Sequence, residues 1–315
     1  MRYRRLGHSG LVVSVVGLGC NNFGRKIDDA GTKAVVDAAI EHGVNLFDTA
    51  DIYGSPHGAS EIAVGRALKG RRDDVVIATK FGMDMGGANG PDRGARGARR
   101  YIARAVEASL RRLETDHIDL YQLHTPDALT PIDETLAALD DLVSAGKVRY
   151  IGNSNFSGWQ IADADWTARS TGRTPFISAQ NEYSWLKRGV EAEVVPACER
   201  FGLGLLPFFP LASGLLTGKY RRDAQPPAGG RLAEARFAHR LETAPWDRIE
   251  AIDAYAQRHG VSPLEVAIGG LAAQPAVTSV IAGATTPEQI AANVAAGAWT
   301  PSDADLDELR EITRH

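Results

Sequence analysis

The 315-residue chain has only two cysteines, Cys20 and Cys198, and they form neither a CxxC pair nor a disulfide framework. No apolar run approaches the ~20 residues of a membrane-spanning helix, and no apolar segment of the kind found in secretory signals follows the charged N-terminus. A surplus of positive charge is also missing, since 35 Lys and Arg stand against 39 Asp and Glu. This balance argues against nucleic acid or an anionic membrane surface as a partner. We therefore expect a cytoplasmic protein with reduced cysteines, whose oligomeric state the sequence leaves open.

Two common ligand-binding signatures are missing as well. Gly17-Leu18-Gly19 continues to Asn22, where the third glycine of a dinucleotide-binding GxGxxG sequence would fall. There is no HExxH sequence, and His and Cys do not cluster at metal-ligand spacing. The sequence therefore disfavours a Rossmann domain and predicts no metal site.

Short apolar runs of strand length alternate along the chain with helix-length amphipathic stretches. The runs are rich in Val, Ile and Leu, which is typical of parallel strands buried on both faces. Eight strands are predicted, at 15–19, 44–48, 75–79, 119–123, 148–152, 177–180, 203–207 and 278–282. Helices are predicted at 32–42, 60–69, 98–113, 132–145, 192–201, 263–273 and 287–297, with starts marked by Ser262-Pro263 and Thr286-Pro287.

Eight strands that alternate with helices can close into a barrel. Segments 2–6 and 11–14 predict a hairpin at the bottom of this barrel, and 84–98 and 212–244 are predicted to be long loops. We therefore predict one domain over residues 1–315, of the α/β class. It is a (β/α)8 TIM barrel with an N-terminal β-hairpin and long loops at its C-terminal face.

Four polar residues follow successive predicted strands, at the end of the barrel where active sites lie. They are Asp48, Tyr53, Lys80 and His124. Each alone has an ordinary explanation, as a helix cap, a core tyrosine or a solvated charge, but these explanations do not account for their convergence. The Lys80 ammonium would lower the tyrosine pKa from about 10, Asp48 would hold Lys80, and neutral His124 would orient a carbonyl oxygen. The set predicts protonation of an oxygen on which negative charge develops, as in hydride addition to a carbonyl.

The segments that contain these residues resemble the aldo-keto reductase superfamily, which includes the β subunits of voltage-gated potassium channels. The matching segments are 45–54, 78–81, 119–124, 151–156, 180–183 and 283–289. The resemblance implies a barrel that binds NADP(H) and reduces an aldehyde or ketone to the alcohol. It also implies that Asp48, Tyr53, Lys80 and His124 form a catalytic tetrad in which Tyr53 is the general acid.

The same resemblance implies the positions of the cofactor contacts. Ser154, Asn155 and Gln180 would hold the nicotinamide amide, and Phe208 would stack on the ring. Further contacts are expected from Gly19, Asn21, Phe209, Leu211, Ser213, Gly214, Lys219, Arg231, Gly283, Thr285, Gln289 and Asn293.

Two positions depart from the family pattern. Phe208-Phe209 stands where relatives commonly have Tyr-Ser. We therefore expect an aromatic ring to stack on the nicotinamide without the local hydrogen bonding. Thr285 and Gln289 stand where many relatives carry a basic residue that grips the 2′-phosphate. The expected preference for NADPH therefore depends on Lys219 and Arg231, with NADH as an alternative.

The substrate is predicted less sharply than the cofactor. Phe23 and Trp185 are candidate substrate contacts that favour an apolar carbonyl compound, although surface packing explains Trp185 equally well. A second hypothesis is a cofactor-binding redox sensor or regulatory partner protein with slow turnover. A third, a barrel with non-redox chemistry, is disfavoured by the Ser154, Asn155 and Gln180 cluster.

Overall fold

The computed structural model describes residues 1–227, 230–234 and 237–314, without the side chains of Arg231 and Ala238. The strands of this part of the chain are β1 Tyr3–Arg5, β2 Val12–Ser14, β3 Val16–Gly19, β4 Leu46–Asp48, β5 Val76–Phe81, β6 Ile118–Leu123, β7 Val148–Ser154, β8 Ser178–Gln180, β9 Gly204–Leu205 and β10 Val280–Gly283. Its α-helices are α1 Asp29–Glu41, α2 Ala59–Ala67, α3 Arg99–Leu113, α4 Ile132–Ser144, α5 Gly158–Ser170, α6 Val194–Phe201, α7 Ala238–Glu242, α8 Trp246–His259, α9 Pro263–Ala272, α10 Pro287–Ala296 and α11 Asp303–Ile312.

The eight strands β3 to β10 form one parallel sheet in the order β10-β3-β4-β5-β6-β7-β8-β9. The two outer strands meet through backbone hydrogen bonds, from Thr278 N–H to the Leu205 oxygen at 2.9 Å and from Ile281 N–H to the Pro207 oxygen at 2.9 Å. These bonds close the sheet, and every predicted barrel strand overlaps an observed one. The predicted (β/α)8 barrel is therefore confirmed.

An antiparallel hairpin, β1 paired with β2, seals the N-terminal end of the barrel. Its Leu6 and Val13 side chains are buried with the inward-facing residues at the bottom of the barrel. Those inward-facing residues are Leu46, Ala78, Leu120, Leu206 and Ile281. Because apolar side chains fill this end, the polar side chains of the same strands face the cavity at the opposite end.

Helices surround the sheet, and two predicted starts are confirmed in detail. Ser262 accepts a hydrogen bond from the Glu265 N–H at 3.2 Å, and Thr286 accepts one from the Gln289 N–H at 3.4 Å. Among the described helices, none has the length and apolar character that crossing a membrane would require.

Four helices were not predicted from the sequence: α5, α7, α8 and α11. Helix α5 carries Trp159 and Trp166 on its outer surface, at 65% and 60% exposure. Such exposed aromatic residues obscure the apolar periodicity that marks a helix packed on a core. Helix α7 lies inside the predicted 212–244 loop, which is therefore partly helical.

Gly65 provides a test of the close packing between α2 and α3. A Cβ atom at this position would lie 2.5 Å from the backbone oxygen of Leu113, which cannot move without shifting the end of α3. We expect Gly65→Ala to lower the free energy of unfolding by about 1–3 kcal/mol through overpacking. Urea denaturation measures this change.

Gly189 is the matched control, because a Cβ atom there would meet nothing within 4 Å. Gly189→Ala is expected to change the free energy of unfolding by less than about 0.5 kcal/mol. Equal stability of the two variants would contradict the tight α2–α3 contact.

Candidate active site

A cavity of about 400 Å³ opens where the barrel strands end at their C-terminal edge. Three of the four predicted catalytic residues, Asp48, Tyr53 and His124, line it. The predicted cofactor residues that line it are Gly19, Asn21, Ser154, Asn155, Gln180, Phe208, Phe209, Leu211, Ser213, Gly214, Lys219, Gly283, Thr285 and Gln289. The fold thus brings residues from distant parts of the sequence to one site.

Lys80 lies directly behind this cavity and is completely buried. Its Nζ donates to Asp48 Oδ1 at 2.8 Å, to Asp48 Oδ2 at 2.7 Å and to the Thr49 backbone oxygen at 2.8 Å. Burial lowers the pKa of Lys80, but Asp48 and Tyr53 raise it, and the net pKa is above its ordinary value. The ammonium is therefore charged at neutral pH.

Tyr53 lies on the loop after β4, with its ring centroid 5.0 Å from Lys80 Nζ. Burial raises the pKa of Tyr53, and the Lys80 charge lowers it, with a net pKa above the ordinary value. The sequence led us to expect a lowered pKa, and desolvation is the reason for the difference. The phenol consequently holds its proton at neutral pH, which is the state a proton donor needs.

His124 follows β6, and its ring packs edge-to-face on Tyr53 with a centroid distance of 5.7 Å. Burial and the nearby Lys80 charge lower the pKa of His124 well below its ordinary value. Its Nδ1 atom has no hydrogen-bond partner among the described residues. The imidazole beside Tyr53 is therefore neutral, and in this form one ring nitrogen can donate a hydrogen bond and the other can accept one.

Three side chains at the ends of β7 and β8 connect the cofactor side of the cavity to the catalytic side. Gln180 Nε2 donates to Asp48 Oδ1 at 2.8 Å, and the Ser154 hydroxyl donates to the Gln180 backbone oxygen at 2.8 Å. Asn155 has a left-handed backbone with φ of 60°, and its Nδ2 donates to the His124 backbone oxygen at 2.9 Å. Gln180 thus helps to orient Asp48, a role that sequence reasoning missed.

The outer end of the cavity is positively charged. Lys26 and Lys219 both line it, and burial together with the Lys26 charge lowers the pKa of Lys219. Lys26 also forms an ion pair with Glu234 at 2.6 Å. Sequence reasoning missed Lys26, because it lies in a loop after β3 and belongs to no recognisable motif.

The segment after β9 has an unusual backbone where it lines the cavity. Phe209, Ala212 and Ser213 all have left-handed φ values, of 53°, 45° and 63°. The Phe209 ring lies edge-to-face against Phe208 with a centroid distance of 5.3 Å. Arg240, which was not predicted, donates to the Ser213 hydroxyl at 2.6 Å. Such strain in non-glycine residues is typical of functional loops.

Some predicted residues are not brought to the cavity. Phe23 is buried in the hydrophobic core, and Trp185 is buried with its Nε1 donating to the Val266 oxygen at 2.8 Å. Neither lines the cavity, because both side chains fill space between the barrel and its helices; Met83 lines the cavity instead. Asn293 is buried on α10 outside the lining, and the side chain of Arg231 lies outside the described residues.

Metal ligands do not come together in the part of the chain that the structure describes. No group of three or more His, Cys, Asp or Glu side chains there could hold a metal ion. Both cysteines are buried and free.

Comparison with known proteins defines the class of protein to which this site belongs. A model of the aldo/keto reductase family matches residues 15–314, and the chain belongs to that family. It is 38% identical to "Uncharacterized oxidoreductase YrpG" of Bacillus subtilis, over 92% of this chain and 89% of that protein. It is 36% identical to "Probable voltage-gated potassium channel subunit beta" of Arabidopsis thaliana, over 99% and 96% of the two chains. "Protein tas" of Escherichia coli is 33% identical, over 93% and 92%.

The Asp48–Lys80 pair allows a direct test of the charge assignment. Asp48→Asn leaves a buried ammonium without its counter-ion, and we expect it to lower the free energy of unfolding by about 3–5 kcal/mol. Adding Lys80→Met, which removes the charge at similar volume, should restore part of this loss. Urea denaturation of the two single variants and the double variant gives the coupling energy. Strictly additive losses would contradict a charged pair.

Proposed function

We propose that this oxidoreductase reduces an aldehyde or ketone to the alcohol with NADPH, and that Tyr53 donates the proton to the carbonyl oxygen. One observation carries the proposal. A charged lysine, held by a buried carboxylate, lies 5.0 Å from the ring of a tyrosine that keeps its proton. A neutral histidine packs edge-to-face on that ring.

The cavity lining fits a nicotinamide dinucleotide. Gln180 and Asn155 commit their amide nitrogens to Asp48 and His124, which leaves their oxygens to accept from a carboxamide. Phe208 offers an aromatic face, and Lys26 and Lys219 offer charge for phosphates. Thr285 and Gln289, at the start of α10, would face the adenosine end, where free helix N–H groups suit an anion. When bound, NADPH supplies the hydride.

The residues of the chain supply the proton and the stabilisation of charge. Tyr53 donates its proton to the carbonyl oxygen as negative charge develops there. The Lys80 ammonium stabilises the phenolate that remains, and Asp48 keeps Lys80 charged and in place. His124 donates a hydrogen bond to the same oxygen and so fixes the orientation of the carbonyl group.

The first test follows the absorbance of NADPH, and then of NADH, with a panel of aldehydes and ketones. We expect turnover with NADPH, and a loss of about 10²–10⁴-fold in kcat for Tyr53→Phe, the range attributed to a general acid. Tyr3→Phe is the matched control, because its hydroxyl bonds to the Gly43 oxygen at 2.8 Å, far from the cavity. Equal activity of the two variants would rule out Tyr53 as the acid.

The similarity to a protein named as a potassium channel subunit favours a second candidate, a cofactor-binding redox sensor or regulatory partner. This candidate requires slow turnover and slow release of the cofactor. Stopped-flow measurement of cofactor dissociation separates the two functions. Tight retention of NADPH, with no turnover of any carbonyl compound in the panel, would favour the sensor.

The protonation states of Tyr53 and His124 predict the pH dependence of the reaction. Because the pKa of Tyr53 is raised and that of His124 is lowered, both residues keep their working forms between their ordinary values of about 6.5 and 10. We expect kcat for reduction at saturating substrate to stay constant across this range and to fall above it, as Tyr53 ionises. Alcohol oxidation, which needs the phenolate as base, should accelerate toward high pH. A fall in reductive kcat centred below pH 8 would contradict the assignment.

A further inference from the structure

The loop that follows β5 is rich in glycine and mostly exposed. Five of its glycines, Gly82, Gly86, Gly87, Gly90 and Gly94, have left-handed φ values. Between residues 83 and 96, the only buried residues are Met85 and Asn89. Met83 of the same loop lines the cavity, so the way this loop is held decides the shape of the cavity mouth.

Asn89 is the polar attachment of this loop to the interior. Its Nδ2 donates to Asp51 Oδ2 at 2.9 Å, and Arg112 Nη1 donates to its Oδ1 at 3.2 Å. The same Nδ2 lies 3.4 Å from the Tyr101 hydroxyl. One side chain therefore joins the mouth loop to the loop after β4 and to helix α3.

Asp51 is two residues from Tyr53 and is completely buried. Its backbone N–H donates to the Lys80 oxygen at 3.1 Å, which ties it to the strand that carries the catalytic lysine. Any movement of Asp51 is therefore transmitted to both Tyr53 and Lys80.

The charges around Asp51 do not balance if every group ionises. Glu61 is also completely buried; it accepts from Arg112 Nε at 2.6 Å and from the Thr79 hydroxyl at 2.6 Å. Arg112 thus forms an ion pair with Glu61 alone, and Asp51 is affected by the Arg112 charge without a bond to it. Burial, together with the Glu61 charge, raises the pKa of Asp51 to about 8. Asp51 therefore holds a proton at neutral pH.

We propose that Asn89 and Asp51 form an anchor that holds the mouth loop, residues 83–96, against the loop carrying Tyr53, and that both are positioning residues for the carbonyl substrate. The kinetic part of this proposal rests on the proposed reductase function. The structural part does not, because the anchoring of a loop is measurable without any substrate.

The anchor is sensitive to pH through Asp51. The groups that face Asp51 are Glu61 from α2, Arg112 and Tyr101 from α3, and Tyr121 from β6. The Tyr121 hydroxyl is buried without a hydrogen-bond partner among the described residues. Loss of the Asp51 proton places a second negative charge beside Glu61, with Arg112 as the only cation in this set. The Asn89 amide donates to Asp51 Oδ2, and this hydrogen bond opposes the rise in the Asp51 pKa that burial and the Glu61 charge cause.

The proton on Asp51 also makes the free energy of unfolding depend on pH. An unfolded Asp51 loses its proton near its ordinary pKa of 3.8, whereas the folded protein keeps it up to about 8. Folding stability from this group is therefore lost as the pH rises between these values. Asp51→Asn, which resembles the protonated carboxyl group, should raise the melting temperature at pH 8, with the difference vanishing toward pH 4.

The first experiment compares Asn89→Ala with Asn45→Ala by limited trypsin digestion. Arg93 is an exposed cleavage site inside the mouth loop. Asn45 is the matched control, because it makes two hydrogen bonds, to Ser14 N–H at 2.7 Å and to the Val12 oxygen at 3.0 Å, at the opposite end of the barrel. We expect cleavage after Arg93 to accelerate about tenfold in Asn89→Ala and to stay unchanged in Asn45→Ala; a tenfold change corresponds to about 1.4 kcal/mol of loop opening. Equal cleavage rates in both variants would overturn the anchor.

The second experiment measures the steady-state kinetics and compares the variants at two pH values. Asn89→Ala should raise KM for the carbonyl substrate about tenfold with much less effect on kcat, and it should leave the Kd for NADPH unchanged; an effect on kcat alone would overturn the positioning role. Asp51→Asn should match the wild type at pH 7, and only the wild type should change its cleavage rate and its KM between pH 7 and pH 9. Identical behaviour of Asp51→Asn and the wild type at both pH values would overturn the role of the proton. If no carbonyl compound is reduced by any variant, the proposed function fails and the digestion alone decides the anchor.

Discussion

The buried ion pair between Lys80 and Asp48 is the interaction on which the rest of the site depends. Both groups lie near the ends of neighbouring strands, where both side chains are buried. Because the carboxylate keeps the ammonium charged, that charge acts on its neighbours. It opposes the rise in the Tyr53 pKa that burial causes, and it helps to keep His124 neutral. Gln180 extends the same network to the residues proposed to hold the nicotinamide, so the proposed proton donor and the proposed cofactor site are joined by hydrogen bonds through Asp48.

A second cluster of buried carboxyl groups contains Asp51, three residues after Asp48. Its negative charge is compensated in a different way. Asp48 and Lys80 form a balanced pair, whereas Arg112 pairs with Glu61 and leaves Asp51 without an ion-pair partner among the described residues. An excess carboxyl group in a buried site takes up a proton, because an unpaired buried charge is more costly than protonation. The balanced pair lies at the proposed active site, and the protonated cluster lies where Asn89 of the mouth loop makes its hydrogen bonds. The proposed catalytic residues and the proposed loop anchor therefore depend on adjacent but electrostatically distinct groups.

The elements that the sequence predicted are those with a strong local signal. Buried parallel strands read as continuous apolar runs, and all eight were found within a few residues of their observed bounds. Of the helices that were missed, α5 carries exposed aromatic residues and the short α7 lies inside a predicted loop. Helices α8 and α11 were missed although their sequences are amphipathic. Three further residues were missed because each lies in a loop or a short helix, and its place in the structure depends on how distant segments fold together. They are Lys26, Met83 and Arg240. Phe23 and Trp185 were predicted as substrate contacts, and the structure buries both in the hydrophobic core. An aromatic residue near a strand end can fill the core as readily as it can line a cavity.

The sequence by itself determined the barrel, the order of its strands and the identity of the polar residues at their ends, because these follow from local patterns and from motifs of fixed spacing. Only the tertiary structure decided which of these groups are buried together, and so which carry charge. The raised pKa of Tyr53, the proton on Asp51 and the attachment of the mouth loop through Asn89 all arise from contacts between residues far apart in sequence. Desolvation and charge sharing depend on three-dimensional neighbours, and a linear pattern does not contain them.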